Sequence, residues 1–273
     1  MLSIGWANDV PMILKDVGCQ RMLIRNLPKL GSLPPMVQTP VASLDAAAIR
    51  VHRNGAGPTL VLLHCLGVDH GLWDIAAAGL EDSFTRQLTA VLARERVTRA
   101  HVAGISLGGL VAQHFAATNP GIVDRLVLID TTPRYVDEAR QMWVQRARAA
   151  RTAGVPSLID GLLKIWFTDG FAAENPPAVR YVRDRFAKAS GEGYALACEA
   201  LGAADLRPLA ASIKAPTLIF CGKDELPPFQ DAAHWLHQNI KGARLEWLSP
   251  AKHASVLEQP QEFAARTRAF LKS

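Results

Sequence analysis

Cysteine is scarce and scattered: Cys19, Cys65, Cys198 and Cys221 are the four in 273 residues, and no two form a Cys-x-x-Cys pair. That spacing argues against a zinc site and a dense disulfide framework, and fits reduced thiols and a cytoplasmic location. No apolar stretch reaches the ~18 residues of a membrane span, and the N-terminus lacks a charged-then-apolar signal pattern. Aromatic residues make up 7% of the chain and never interleave with a basic run, so nucleic acid is not an expected partner. There is no internal repeat and no low-complexity tract, which excludes solenoid architectures.

What is present is ordinary for a globular enzyme-sized chain: 49% hydrophobic and 20% charged residues, enough for one α/β domain with an insertion. Thirty basic against twenty-five acidic residues leave a net charge of +5. Arg134, Arg140, Arg146, Arg148 and Arg151 carry part of the excess, with Asp137 and Glu138 among them. The plain reading is the solvated face of an amphipathic helix; the sharper one is attraction of an anionic substrate. The expected partner is a small molecule, with no nucleic acid and no membrane; a homodimer is left open.

Residues 1–35 read as an irregular N-terminal extension, broken by Pro11, Pro28, Pro34 and Pro35, although 21–25 has strand character. Met36 reads as a natural start. From there strands are expected over 48–53, 59–63, 99–102, 124–130, 216–220 and 243–248. Helices are expected over 85–94, 109–118, 229–240 and 261–271. Residues 134–205 carry helical patterns without strand runs and read as a cap, between core segments 36–133 and 206–273. Strand–helix alternation of this kind specifies a doubly wound, mostly parallel sheet with its site at the carboxyl ends of the strands.

The chain is organised around Gly104-Ile105-Ser106-Leu107-Gly108, set between a strand and a helix. In that context Gly-x-Ser-x-Gly means a nucleophile elbow, where glycines relieve crowding beside the serine. A serine hydroxyl needs an adjacent base, and the base needs a group to fix its tautomer. Ser106, Asp224 and His253 meet the order Ser, acid, His, each directly after an expected strand. Glu225 is expected to point to the opposite side of its turn from Asp224. His64 reads as a loop brace, His101 as lying on the wrong side, and His234 and His237 as exposed. The backbone N–H groups of Leu66 and Leu107 are the candidate oxyanion donors. Trp73, Trp143 and Trp166 are candidate pocket walls, and Arg134 a candidate for meeting a substrate carboxylate.

The motifs His64-Cys65-Leu66-Gly67 with Trp73, Gly104 to Gly109, Gly222-Lys223-Asp224, and His253 with Glu258 resemble the α/β-hydrolase superfamily. Arg151-Thr152-Ala153-Gly154, Trp166-Phe167-Thr168, Gly193-Tyr194, Cys198-Glu199-Ala200 and 203–208 are similar to the 3-oxoadipate enol-lactonases. The resemblance covers 37–273 and implies opening of an unsaturated lactone bearing a carboxylate, with no cofactor. Two departures stand out. Cys65 replaces a frequent glycine. Between Trp73 and the helix at 85–94 the family carries another interior strand, whose roughly 15–25 residues with loops are missing here. Either the sheet closes up, or residues 21–25 supply the strand.

The reading is therefore a serine hydrolase of α/β-hydrolase fold with a helical cap, cleaving an ester or lactone through an acyl-enzyme. The alternatives are a broad short-chain carboxylesterase and a non-catalytic ligand-binding protein on the same fold.

Overall fold

The computed structural model describes residues 2–4, 52–53, 59–63, 65–66 and 88–273. Among these, seven strands form one sheet: β1 (Leu2–Ile4), β2 (His52–Arg53), β3 (Leu60–Leu63), β4 (Ala100–Ile105), β5 (Val123–Ile129), β6 (Thr217–Gly222) and β7 (Arg244–Leu248). Their order across the sheet is β2-β1-β3-β4-β5-β6-β7. Only the β1–β2 pair is antiparallel.

The central strands are apolar runs because both faces are covered. Alternation by two separates the faces. Val102, Leu126, Leu128 and Ile219 pack with α1 (88–94 in its described part), α2 (Leu107–Thr118) and α8 (Pro227–Asn239). Ala103, Val127, Ile129, Leu218 and Phe220 pack against Phe263 and Phe270 of α10 (Pro260–Lys272). The result is an α/β sheet with helices on both sides.

Between β5 and β6 the chain is helical: α3 (Asp137–Ala153), α4 (Ile159–Trp166), α5 (Asp169–Ala173), α6 (Pro177–Lys188) and α7 (Gly191–Ala203). Trp143, Ala147 and Ala150, at helical spacing, form the buried face of α3. The two ends of this excursion are tied: the Leu206 N–H donates to the Pro133 carbonyl at 2.8 Å. Arg134 and Asp205 face each other across a bridge, 3.8 Å apart.

The N-terminal extension is not wholly irregular, which corrects the sequence expectation. Leu2–Ile4 lies inside the sheet, parallel to β3 with Ser3 opposite Leu62, and antiparallel to β2 with Ser3 opposite His52. The place beside β3 is thus filled from the N-terminus; residues 21–25 lie outside the described residues. An interior strand satisfies the backbone groups of both neighbours, at about 1 kcal/mol per hydrogen bond. Proline in such a position removes a ladder donor and is not tolerated. Ser3→Pro, or removal of residues 1–35, is therefore expected to lower the melting temperature by about 10 °C or prevent folding, read by circular dichroism. An unchanged melt would contradict the role of β1.

Candidate active site

The chain reverses from β4 into α2 over a single residue, Ser106, with φ 53° and ψ −116°. A side chain at positive φ costs on the order of 1–3 kcal/mol and persists only where the surroundings hold it. They do so here. A Cβ on Gly104 would lie 2.1 Å from the Gly108 carbonyl oxygen, and one on Gly109 would lie 2.5 Å from Thr131. The Ser106 N–H donates to the Ile129 carbonyl at 2.9 Å, and Thr131 Oγ1 donates to the Ser106 carbonyl at 2.8 Å.

Two side chains from two further loops at the carboxyl edge line up with this serine. His253, between β7 and α9 (Ser255–Glu258), places Nε2 3.0 Å from Ser106 Oγ. Its Nδ1 lies 2.6 Å from Glu225 Oε2, while the Leu226 N–H donates to Glu225 Oε1 at 2.7 Å. Ser106, Glu225 and His253 are all buried. With a carboxylate on Nδ1, the imidazole carries its proton there and presents a bare Nε2 to the hydroxyl, the tautomer a general base requires.

Asp224, the acid expected from the sequence, does not reach His253. Its carboxylate accepts the Ala251 N–H at 3.0 Å, and its own N–H donates to the Ala251 carbonyl at 2.9 Å. Of the two adjacent acids, it is Glu225 that faces the histidine. The sequence contained a clue. Aspartate is a turn-former whose short carboxylate is readily satisfied by nearby backbone, whereas the longer glutamate side chain reaches further from its turn.

Burial disfavours the charged His253 ring, but the Glu225 charge, its hydrogen bond and the charge of Asp130 together outweigh burial and raise the pKa. The Arg146 guanidinium opposes them. The ring is walled by Phe229 and Trp166, with centroids at 4.7 and 5.8 Å. Tyr135 continues the aromatic wall from Phe229 to Trp143, with centroids at 5.9 and 5.2 Å.

The sequence-expected pocket residues divide. Trp166 packs beside His253. Trp143 lies further along the wall, its buried indole Nε1 without a hydrogen-bond acceptor. Arg134 is engaged elsewhere, paired with Asp137 and Asp205 at the ends of the helical excursion. Arg146, which the sequence reading did not single out for the pocket, stacks on Trp143 at 4.7 Å. Its charge is felt by Tyr135, Tyr194 and His253. Among the described residues, no carboxylate lies within ion-pair distance of it. Helical spacing from Trp143 was the signal that would have found it.

Leu66 is buried in the turn after β3, and Leu107 opens α2, where the first amides lack intrahelical acceptors. The register that sets Leu63 opposite Gly104 brings the chain following β3 beside the elbow. Trp73 and His64 lie outside the described residues. His101 is the second residue of β4, toward the other end of that strand from Ser106, and His234 and His237 are exposed. No group of three or more metal-ligating side chains occurs among the described residues.

Comparison with known proteins agrees with this architecture. The profile of the alpha/beta hydrolase family matches residues 38–266. 3-oxoadipate enol-lactonase 2 of Acinetobacter baylyi is 29% identical over 79% of this chain and 89% of its own length. A pimeloyl-[acyl-carrier protein] methyl ester esterase of Chromobacterium violaceum is 30% identical over 77% of this chain and 92% of its own. The crystal structure of the enol-lactonase from Burkholderia xenovorans LB400 superposes with a TM-score of 0.74 at 31% identity, covering 81% of this chain and 94% of that one. With a strained serine elbow, a helical excursion between β5 and β6, and a family match over most of its length, this chain is an enzyme of the α/β hydrolase family.

Proposed function

We propose that this enzyme hydrolyses a carboxylic ester or lactone through an acyl-enzyme on Ser106. The observation that carries this reading is the continuous line from Ser106 Oγ through His253 to Glu225, at 3.0 and 2.6 Å. His253 takes the hydroxyl proton as Oγ attacks the acyl carbon. The carbonyl oxygen becomes an anion received by the Leu107 and Leu66 N–H groups. His253 then gives its proton to the departing alcohol or ring oxygen. Water enters, loses a proton to His253 and releases the acid, and Ser106 regains its proton. Glu225 holds the ring and its charge throughout. The helical excursion is the cap over this site.

The preferred substrate is a small lactone bearing a carboxylate, of the 3-oxoadipate enol-lactone type. The likeness to 3-oxoadipate enol-lactonase 2 of Acinetobacter baylyi and to the enol-lactonase of Burkholderia xenovorans supports it. So does Arg146 on the aromatic wall, with no carboxylate within ion-pair distance among the described residues. A guanidinium–carboxylate contact contributes about 1.5–3 kcal/mol, or roughly ten- to hundredfold in binding. Arg146→Ala is thus expected to raise KM for a carboxylated lactone about tenfold or more while leaving kcat/KM for p-nitrophenyl acetate within about threefold. Equal effects on both substrates would remove the lactone assignment and favour a broad short-chain esterase. Absence of turnover on either would favour the ligand-binding alternative.

A further inference from the structure

Asp130 directly follows β5 at the same sheet edge as the site and is 1% exposed, with φ 43°. Its carboxylate has three donors, one at the end of β6 and two at the start of α9, beside the loops that carry Glu225 and His253. Oδ1 accepts the Gly222 N–H at 2.9 Å, three residues before Glu225. Oδ2 accepts both the Ser255 N–H at 3.2 Å and the Ser255 hydroxyl, two residues after His253. The two loops are already in close contact: a Cβ on Gly222 would lie 2.4 Å from the Lys252 carbonyl oxygen. One buried carboxyl thus spans the loop that carries the acid and the loop that carries the base.

We infer that Asp130 is a positioning residue for the hydrolytic reaction: it holds the Glu225 and His253 loops in register, and its negative charge acts on the His253 ring. This rests on the proposed hydrolysis at Ser106. Burial, and then the neighbouring Glu225 charge, push the Asp130 carboxyl up to about 7, against the pull of His253, Ser255 and Gly222. The groups facing it are Glu225 and His253 from the two loops, Cys65 after β3 and Cys221 in β6. Those facing His253 are Glu225, Asp130 and Arg146.

The sign follows directly. Ionised above about pH 7, Asp130 favours the imidazolium there, so it raises the pH at which His253 becomes a base. Asparagine keeps the shape but loses the charge, and its NH2 must oppose one of the donor amides. Asp130→Asn is expected to lower kcat about tenfold or more, with KM within about threefold. The acid limb of kcat/KM should also move to lower pH, by about half a unit or more. A residue that only filled space would lower activity without moving that limb.

The test is the pH profile of p-nitrophenyl acetate hydrolysis by wild type, Ser106→Ala, Asp130→Asn and Ser255→Ala. Ser255→Ala removes one donor and keeps the backbone N–H, so it covers the case in which Asp130→Asn fails to fold; its limb should shift the same way by less. Ser106-dependent turnover with shifted limbs supports the inference. Ser106-dependent turnover with unmoved limbs overturns it, whatever happens to kcat, and leaves the hydrolase reading standing. Wild-type turnover that survives Ser106→Ala overturns both.

Discussion

Ser106→Ala is expected to reduce ester hydrolysis by about 10⁴-fold or more while the circular dichroism melt stays within a few degrees of wild type. The magnitude follows from the role: without the nucleophile, only oxyanion donors and binding remain, and groups acting as one unit fail together. The fold should survive because the elbow is held by glycine contacts and backbone hydrogen bonds, none of which uses the serine hydroxyl. Alanine at φ 53° suffers the same backbone strain as serine. Retention of more than a few per cent of wild-type kcat/KM would mean that the hydroxyl beside His253 is not the attacking atom.

Glu225→Gln and Asp224→Asn should differ by about three to four orders of magnitude although the residues are adjacent. Glutamine at 225 can offer its NH2 to Nδ1, which inverts the tautomer and places the proton on Nε2, facing Ser106. Comparable loss of the orienting carboxylate costs about 10⁴-fold in serine hydrolases. Asp224 instead braces the Ala251 amide, a neutral-shape contact that asparagine retains through its oxygen. Asp224→Asn is therefore expected within about threefold of wild-type kcat, with a loss of about 1 kcal/mol of stability at most. Steady-state kinetics on the two purified variants decide it; the reverse pattern would restore Asp224 as the orienting acid.

The core strands were legible because continuous apolar runs such as Val123–Ile129 and Thr217–Gly222 have few other uses. The elbow was legible for a similar reason: glycines two residues either side of a serine, between a strand and a helix, answer a steric demand that the structure then displays. The acid was not, because adjacent residues in a turn point to opposite sides and sequence order cannot say which side is inward. Nor was β1. Leu2–Ile4 is too short to show a period, and its partners, His52–Arg53 and Leu60–Leu63, lie about fifty residues away. Proximity to β5 suggests Arg134 for a pocket, but two acids claim it; Arg146, one turn beyond Trp143, reads in the sequence as one of a basic group, a solvated helix face or an attraction for an anionic substrate, and not as a pocket residue.

The central claim, that Ser106 forms an acyl-enzyme, is tested most directly by exposing the protein to a phosphonofluoridate and locating the adduct by peptide mass spectrometry. The account predicts one phosphonyl group on the peptide containing Ser106, formed in step with loss of esterase activity, and none in Ser106→Ala or at comparable speed in His253→Ala. Stoichiometric labelling elsewhere, or full inactivation with Ser106 unmodified, would contradict it.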